Sequence, residues 1–591
     1  MKNKLRIIAM ILAVCTLLAV LSSCKKDGMT AETEADTEAV AETQTPEIEL
    51  TEIILIRPQV VSNEIRDLFV VIRDHLKAET GIEVKLTSDY EAYEAKEGRY
   101  YVLLGKTEYD LSKELAGACA DNEMRYKATE DCVAVYAKND QLLKIALEKL
   151  FGDCLVDGKL SVGSDYADLV IDGSPFVREN WTISVPAYAY GTLDAKTYSA
   201  GYGLQLDKNC SYMQVASGTS PEEFNKYLAT LESLGYEKQF TNTIDGNLYA
   251  SYVSELGNNV YAYFMLKESK VRIIEDNASV TLDEFNYTVE ANGSSRFYAY
   301  QMNTNSEDTF LIHLADNTWI VIDGGVSMYN DVDKEGAYAD EMFNFMAEKS
   351  GITGSEKLVI SCWYMTHAHR DHLLGFKALL TKYHDRIDLQ RVLNNTPDTE
   401  IVYNSNNPSY VELVDLINKY YKNVLFLKGH TGMKIRLADA ELEVIYSQED
   451  NIERWCADEQ NLNYKIYDYN NSSLCIIIRV AGISVLELGD NFCTQWLLYP
   501  YYNVETLAQD ILKIGHHHYN PESDDFYTAL HATGKVEYAI NMHTTNPSST
   551  TGKQVKALFG DKYINGSLDN TYEFYRDGSG KIVKNVIAQS K

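Results

Sequence analysis

Positive charge is in short supply. Against 86 Asp and Glu, the 591-residue chain carries only 54 Lys and Arg, for a formal net charge of -32. So acidic a chain repels polyanions at long range, which argues against a general nucleic-acid-binding surface. A local positive site, such as bound metal, could still recruit a phosphate. Long apolar runs are missing as well. Beyond the leader nothing approaches the roughly 20 apolar residues of a membrane span, so the rest is expected to be soluble. Ten cysteines are present, but none stands in a CxxC spacing. Export would permit disulfides, yet large domains do not need them, and buried free thiols are the expected state. Histidine is almost absent from the first half. Of 12 histidines only His75 precedes residue 300, so any histidine chemistry lies in the last 300 residues.

What is there begins with a targeting signal. Lys2, Lys4 and Arg6 form a basic start, and Ile7 to Leu21 an apolar stretch too short for a good span. Leu21-Ser22-Ser23-Cys24 follows, then Lys25-Lys26. This resembles a bacterial lipobox, which implies cleavage before Cys24, lipid on its sulfur, and anchoring to the outer face of a membrane. Residues 1–24 are thus expected to be a lipoprotein signal peptide. Residues 25–50 are a charged linker, because Ala31 to Leu50 is rich in Glu, Thr and Ala and cannot bury enough apolar surface to fold.

The chain is too long for one core. Residues 51–173 alternate strand and helix patterns: Ile53 to Ile56, helical spacing from Glu64 to Glu79, Tyr100 to Leu104, Cys132 to Tyr136, and an amphipathic helix from Leu142 to Phe151. They make one α+β domain with no motif that carries chemistry. Residues 174–292 are rich in Tyr and Gly and read as a second small α+β domain. Its helix runs from Pro221 to Leu234 with Ser220 as cap, and its strands cover Tyr249 to Val253, Asn259 to Leu266 and Val271 to Ile274. The tyrosines suit packing on half-exposed sheets better than a ligand face. Residues 293–591 form the third unit, expected to fold from a start near Ser294.

That unit holds Thr366-His367-Ala368-His369-Arg370-Asp371-His372, directly after the apolar run Leu358 to Met365. A helix follows, roughly Leu373 to Tyr383. The four ligand-type side chains therefore sit in a loop at the C-terminal end of a buried strand. His367 and His369 point to one side and can share an ion; Asp371 and His372 can reach a second beside it. Imidazole with carboxylate suits zinc, manganese or iron. A lone HxH is weak, whereas HxHxDH after a buried strand is specific.

From about Phe297 onward, roughly half the chain, the sequence resembles the metallo-β-lactamase superfamily. Within it the likeness is to the hydrolase domain of DNA-uptake competence proteins and to bacterial phosphorylcholine esterases. Thr309 to Gly325 reads as the first hairpin of that family, and the resemblance implies that Asp323 steadies the metal loop from behind. It implies a metal-bridging carboxylate in a Gly-Asp element, here Asp490 after the hairpin Ser473 to Leu488. After Ile511 to Gly515 stand His516, His517 and His518, where the family has HHG; His518 replaces the glycine, which puts the loop's shape in question. His516 is the expected ligand, with His517 behind it or against substrate. His543, after the strand Val536 to Met542, and His430, in Gly429-His430-Thr431 before the strand Leu442 to Tyr446, are both open candidates to complete the site. His313, His384 and His531 receive no role.

The expected fold class is α/β: an αββα sandwich at the C-terminus, preceded by two small α+β domains. The implied cofactors are two divalent metal ions, Zn foremost, with Mn or Fe as alternatives. They would lower the pKa of a bridging water from about 15.7 towards 7, with Asp371, Asp490 and His517 at the reacting atoms. The implied substrate is a small-molecule or cell-envelope ester or phosphodiester. The alternatives are a glycan- or polymer-binding surface protein with an inactive hydrolase domain, and an extracellular nuclease, which the charge disfavours.

Overall fold

A computed structural model describes residues 50–90, 96–199, 211–276, 280–301, 308–325, 332–396, 408–456, 469–518, 525–542, 550–565 and 570–588. The leader and most of the linker, including Cys24, lie outside these residues.

The N-terminal module is a six-stranded sheet ordered 83–88, 52–57, 99–104, 132–137, 123–128, 169–172. The first four strands run parallel. Helices Asn63–Thr80 and Asp140–Cys154 cover it through Ile65, Phe69, Ile72, Leu76 and Leu142 to Phe151, the apolar stripes of their 3.6-residue period. Next comes an antiparallel sheet of six strands, ordered 237–244, 247–253, 259–265, 270–276, 212–217, 192–199. Its helix Pro221–Ser233 is capped by Ser220 with a reciprocal bond from Glu223, a capping box.

This second sheet is buried on both faces. Alternation sends Tyr252, Val260, Ala262, Phe264, Val271 and Ile273 into the core shared with the N-terminal module. Tyr249, Tyr261, Tyr263, Met265 and Ile274 go into a core shared with the C-terminal half. The tyrosines that looked half-exposed are thus mostly interior. Leu50 to Lys591 accordingly forms one compact unit.

The C-terminal half consists of two mixed sheets. One has eight strands, ordered 287–288, 434–438, 440–446, 475–480, 483–487, 511–513, 538–541, 563–565. The other is ordered 425–428, 391–394, 358–364, 319–323, 309–313, 296–299, 570–576, 582–588, with 387–389 beside 358–364. The pleat sorts their side chains. Phe310, Ile312, Ile320, Ile322, Cys362 and Tyr364 meet Val444, Ile476, Ile478 and Val485 between the sheets. Leu311, Trp319, Val321 and Trp363 pack outward under Met342, Met346, Phe376, Leu379, Leu413 and Ile417, which belong to the helices Val332–Ser350, Arg370–Tyr383 and Pro408–Tyr420. Helices Asp525–Ala532 and Thr550–Phe559 cover the eight-stranded sheet through Phe526, Leu530, Val555 and Phe559. The order helix, sheet, sheet, helix is a four-layer α/β sandwich. The buried thiols Cys119, Cys132, Cys154, Cys362 and Cys475 are free, and no described helix is long and apolar enough to cross a membrane.

The antiparallel sheet meets the sandwich through charge as well as apolar surface. Arg272, fully buried, pairs with Glu268 and Glu453, and Arg454 pairs with Glu268 and Asp450 at 3.3 Å each. Gly432 is needed here: its φ is +94° and a Cβ would come within 2.1 Å of the Tyr249 ring.

Candidate metal centre

The site lies where strand ends of the two sheets meet. The strand Leu358–Tyr364 delivers Thr366 and His367 into a turn. His369 is the N-cap of the helix Arg370–Tyr383, and Asp371 and His372 occupy its first turn. From the other sheet, Glu487 ends a strand and Gly489 bends the chain with φ +53°. A Cβ on Gly489 would come within 2.8 Å of Ser473 and 2.9 Å of Thr366, so only glycine lets Asp490 reach the site. The Asp490 N–H donates to Ser473 Oγ at 3.1 Å.

Two donor groups form, and they share one carboxylate. His367, His369 and Asp490 make one; Asp308, His372, Asp490 and His517 make the other, with donor atoms all within 4.8 Å of one another in each. Asp490 Oδ2 stands 3.2 Å from His372 Nε2, 3.3 Å from His517 Nε2 and 3.8 Å from His367 Nε2. His372 Nε2 and His517 Nε2 are 3.3 Å apart, and His517 Nε2 is 3.5 Å from Asp371 Oδ2. Ligand atoms each about 2.1 Å from one tetrahedral ion lie about 3.4 Å apart, so these spacings fit a shared ion.

The orientation is set from behind. Asp323 Oδ1 accepts the Thr366 N–H and its Oδ2 the Thr366 hydroxyl, both at 2.8 Å, and Oδ2 is 2.7 Å from His372 Nδ1. With the Nδ1 proton on that bond, His372 Nε2 keeps its lone pair for a cation. Burial works against a charged His372, but Asp490 and Asp323 outweigh it and hold its pKa well above the ordinary value. For His517 burial is likewise outweighed by Asp490 and Asp308. His367 goes the other way, pushed well down by burial and by His372. Asp490, despite burial, is held well below the carboxylate range by His517 and His372. Glu487, buried among carboxylates, is pushed up to about 8.

Among the described residues, buried His367 Nε2, Asp371 Oδ1 and Asp490 Oδ1 have no hydrogen-bond partner. Interior polar atoms are rarely left so, and these converge in one place. Their chemistry, nitrogen and carboxylate oxygen together, suits zinc, manganese or iron.

The structure thus brings together His367, His369, Asp371, His372, Asp490 and His517. The tandem histidines face the opposite way round from the expectation. His517 faces the donor group, while His516 turns to Asn470, with Nε2 3.2 Å from its Nδ2, and lies against Phe492 at 5.2 Å between ring centroids. The cause is the backbone: His516 and His517 both adopt left-handed φ, 48° and 46°. Such strain in consecutive non-glycine residues is typical of functional turns. His430 is elsewhere. It is buried between Glu449 Oε1 at 2.7 Å and Asp276 Oδ2 at 3.1 Å, with Tyr261 against its ring. His543 lies outside the described residues. His313 stacks on Trp319, His384 on Tyr420, and His531 meets Phe559 edge-on.

Two residues here were not anticipated. Asp308 directly precedes the strand Thr309–His313, whose Thr309 pairs with Asp323 in antiparallel register. A rule that looks after strands misses it, although the start of an antiparallel strand lies beside the end of its neighbour. Lys513 ends the strand Ile511–Lys513, fully buried, its Nζ on Asp308 and 2.7 Å from the Gly489 carbonyl. A lysine inside an apolar strand was the available signal.

No family model matches the chain, and no curated protein matches it. Among solved structures it is similar to a flavo di-iron protein of Thermotoga maritima. That alignment has 11% identity and a TM-score of 0.19, and covers 40% of this chain and 48% of that one. It is also similar to CmlA, a diiron beta-hydroxylase from Streptomyces venezuelae. Here the identity is 11% and the TM-score 0.24, over 63% of this chain and 79% of that one. The chain spans about half the length of the flavo di-iron protein, and with scores this low the site rests on its own geometry.

Proposed function

We propose that this chain is a lipid-anchored, exported hydrolase of the metallo-β-lactamase type, which cleaves an ester or phosphodiester at a two-metal centre. The observation that carries it is the pair of donor groups meeting at Asp490, buried but for the half-buried His369. The four-layer sandwich and the HxHxDH loop at a strand end support the same family, and the leader ending at Cys24 supports export.

Divalent ions bound there would supply Lewis acidity and a water nucleophile of lowered pKa. The protein does the rest. Asp323 holds His372 in the tautomer that presents Nε2. The bend at Gly489 holds Asp490 between the two donor groups. Asp371, buried with its Oδ2 3.5 Å from His517 Nε2, is the carboxylate placed to accept the proton that a water gives up. Burial of His367, His372, Asp490 and His517 keeps bulk water from competing.

Asp490→Ala should abolish turnover on a panel of chromogenic phosphodiesters and esters. His531→Ala, whose ring lies edge-on to Phe559, should leave turnover within about twofold. Full activity in a folded Asp490→Ala protein would refute a two-metal mechanism.

A further inference from the structure

The two donor groups are unequal. Among the described residues the first offers His367, His369 and Asp490. The second offers His372, His517, Asp490 and Asp308, with Asp371 Oδ2 3.5 Å from His517 Nε2. Asp308 is 99% buried, its Oδ2 4.0 Å from His372 Nε2 and its Oδ1 3.7 Å from His517 Nδ1. Interior carboxylates are expensive unless compensated. The compensation here is Lys513, whose ammonium contacts Asp308, stands 3.6 Å from Asp490 Oδ1 and is tethered to the Gly489 carbonyl. A lysine held by a backbone carbonyl can neutralise one carboxylate but cannot leave the site. It lets Asp308 be packed beside Asp490 without drawing on the charge of an incoming ion. Asp308 is therefore placed and charge-balanced as a donor rather than as a partner of solvent.

We propose that Asp308 is a ligand of the second position and makes it the higher-coordinate, tighter site, so that the two positions fill in order. The ion beside His372, His517, Asp371 and Asp308 binds first and stays. The ion beside His367 and His369 binds second, exchanges, and keeps the open coordination places that a substrate oxygen takes. More oxygen donors favour five or six coordination, and three protein donors leave a vacant place on a four-coordinate ion. This rests on the two-metal reading above.

The test uses the full chain, stripped of metal and titrated with Co(II). The first equivalent should give the weak visible bands of a five- or six-coordinate ion, and only the second the intense bands of a four-coordinate one. Intense bands at the first equivalent would overturn the order of filling. Zn-loaded protein is then dialysed against a graded chelator and the ions per chain counted. The wild type should fall from two to one and hold there. His367→Ala should start at one and hold it equally well. Asp308→Asn should lose its last ion at a free-metal level at least tenfold higher than the wild type does. If Asp308→Asn retains its last ion as the wild type does, Asp308 is no ligand, while the two-metal reading stands. If the wild type takes up no ion, both fall.

Discussion

The burial of His430 between Glu449 and Asp276 gives a pH dependence with a definite sign. Burial alone would lower the pKa of this imidazole, but the Glu449 and Asp276 carboxylates outweigh it and raise it to about 9 from 6.5. The folded chain therefore keeps a proton that the unfolded chain has released. Stability from this group is complete below pH 6.5 and is lost as pH rises to 9. At about 1.4 kcal/mol per pH unit the gap amounts to about 3 kcal/mol. The perturbation is His430→Gln, which keeps hydrogen bonding and removes the titration. Other groups titrate in the same window, so the quantity to follow is the difference between wild type and variant. Urea unfolding of both proteins at pH 6.5, 7.5, 8.5 and 9.5 measures it. With an m-value of about 3 kcal/mol/M, the separation of midpoints should shrink by about 1 M across that range, while metal content stays unchanged. A separation independent of pH would refute the ion-pair account. Loss of a bound metal ion in the variant would restore His430 as a ligand.

Two further outcomes follow from the interface and the leader. A fragment of residues 294–591 lacks Tyr249, Tyr261, Asp276 and Arg272, which takes Asp276 from Lys428 and His430 and Arg272 from Glu453. At about 3–5 kcal/mol for each broken buried pair, it should be insoluble or melt far below the full chain, contrary to the independence its ligand set suggests; a soluble fragment that melts within a few degrees of the full chain would contradict this. Cys24→Ala should release the protein from membranes or leave it unprocessed, and unchanged membrane partition and gel mobility would contradict lipid anchoring.

Much of the architecture was legible because it is carried by local pattern. The hairpin from Thr309 to Gly325 is two apolar runs, Phe310 to Ile312 and Trp319 to Ile322, about the turn Ala315-Asp316-Asn317, and Leu358 to Met365 is a buried parallel strand whose end must turn. The loop that follows concentrates four ligand-type side chains, so His367, His369, Asp371 and His372 could be named from spacing alone. What was not legible depends on backbone angles or on residues far away in sequence. The choice between His516 and His517 turns on two successive left-handed residues, which three histidines in a row do not reveal. Asp308 enters through antiparallel register rather than through its own strand. His430 has the sequence context of a ligand, yet Asp276, more than 150 residues earlier, claims its ring. The tyrosine-rich sheet looked half-exposed because its own sequence does not show that both faces are covered by other parts of the chain.

The most direct test of the central claim is anomalous diffraction at the zinc edge from crystals of the zinc-loaded full chain. Two peaks are expected, one beside His367 and His369 and one beside His372 and His517, with Asp490 touching both. No peak at Asp490, or a peak at His430 or His516 in its place, would contradict it.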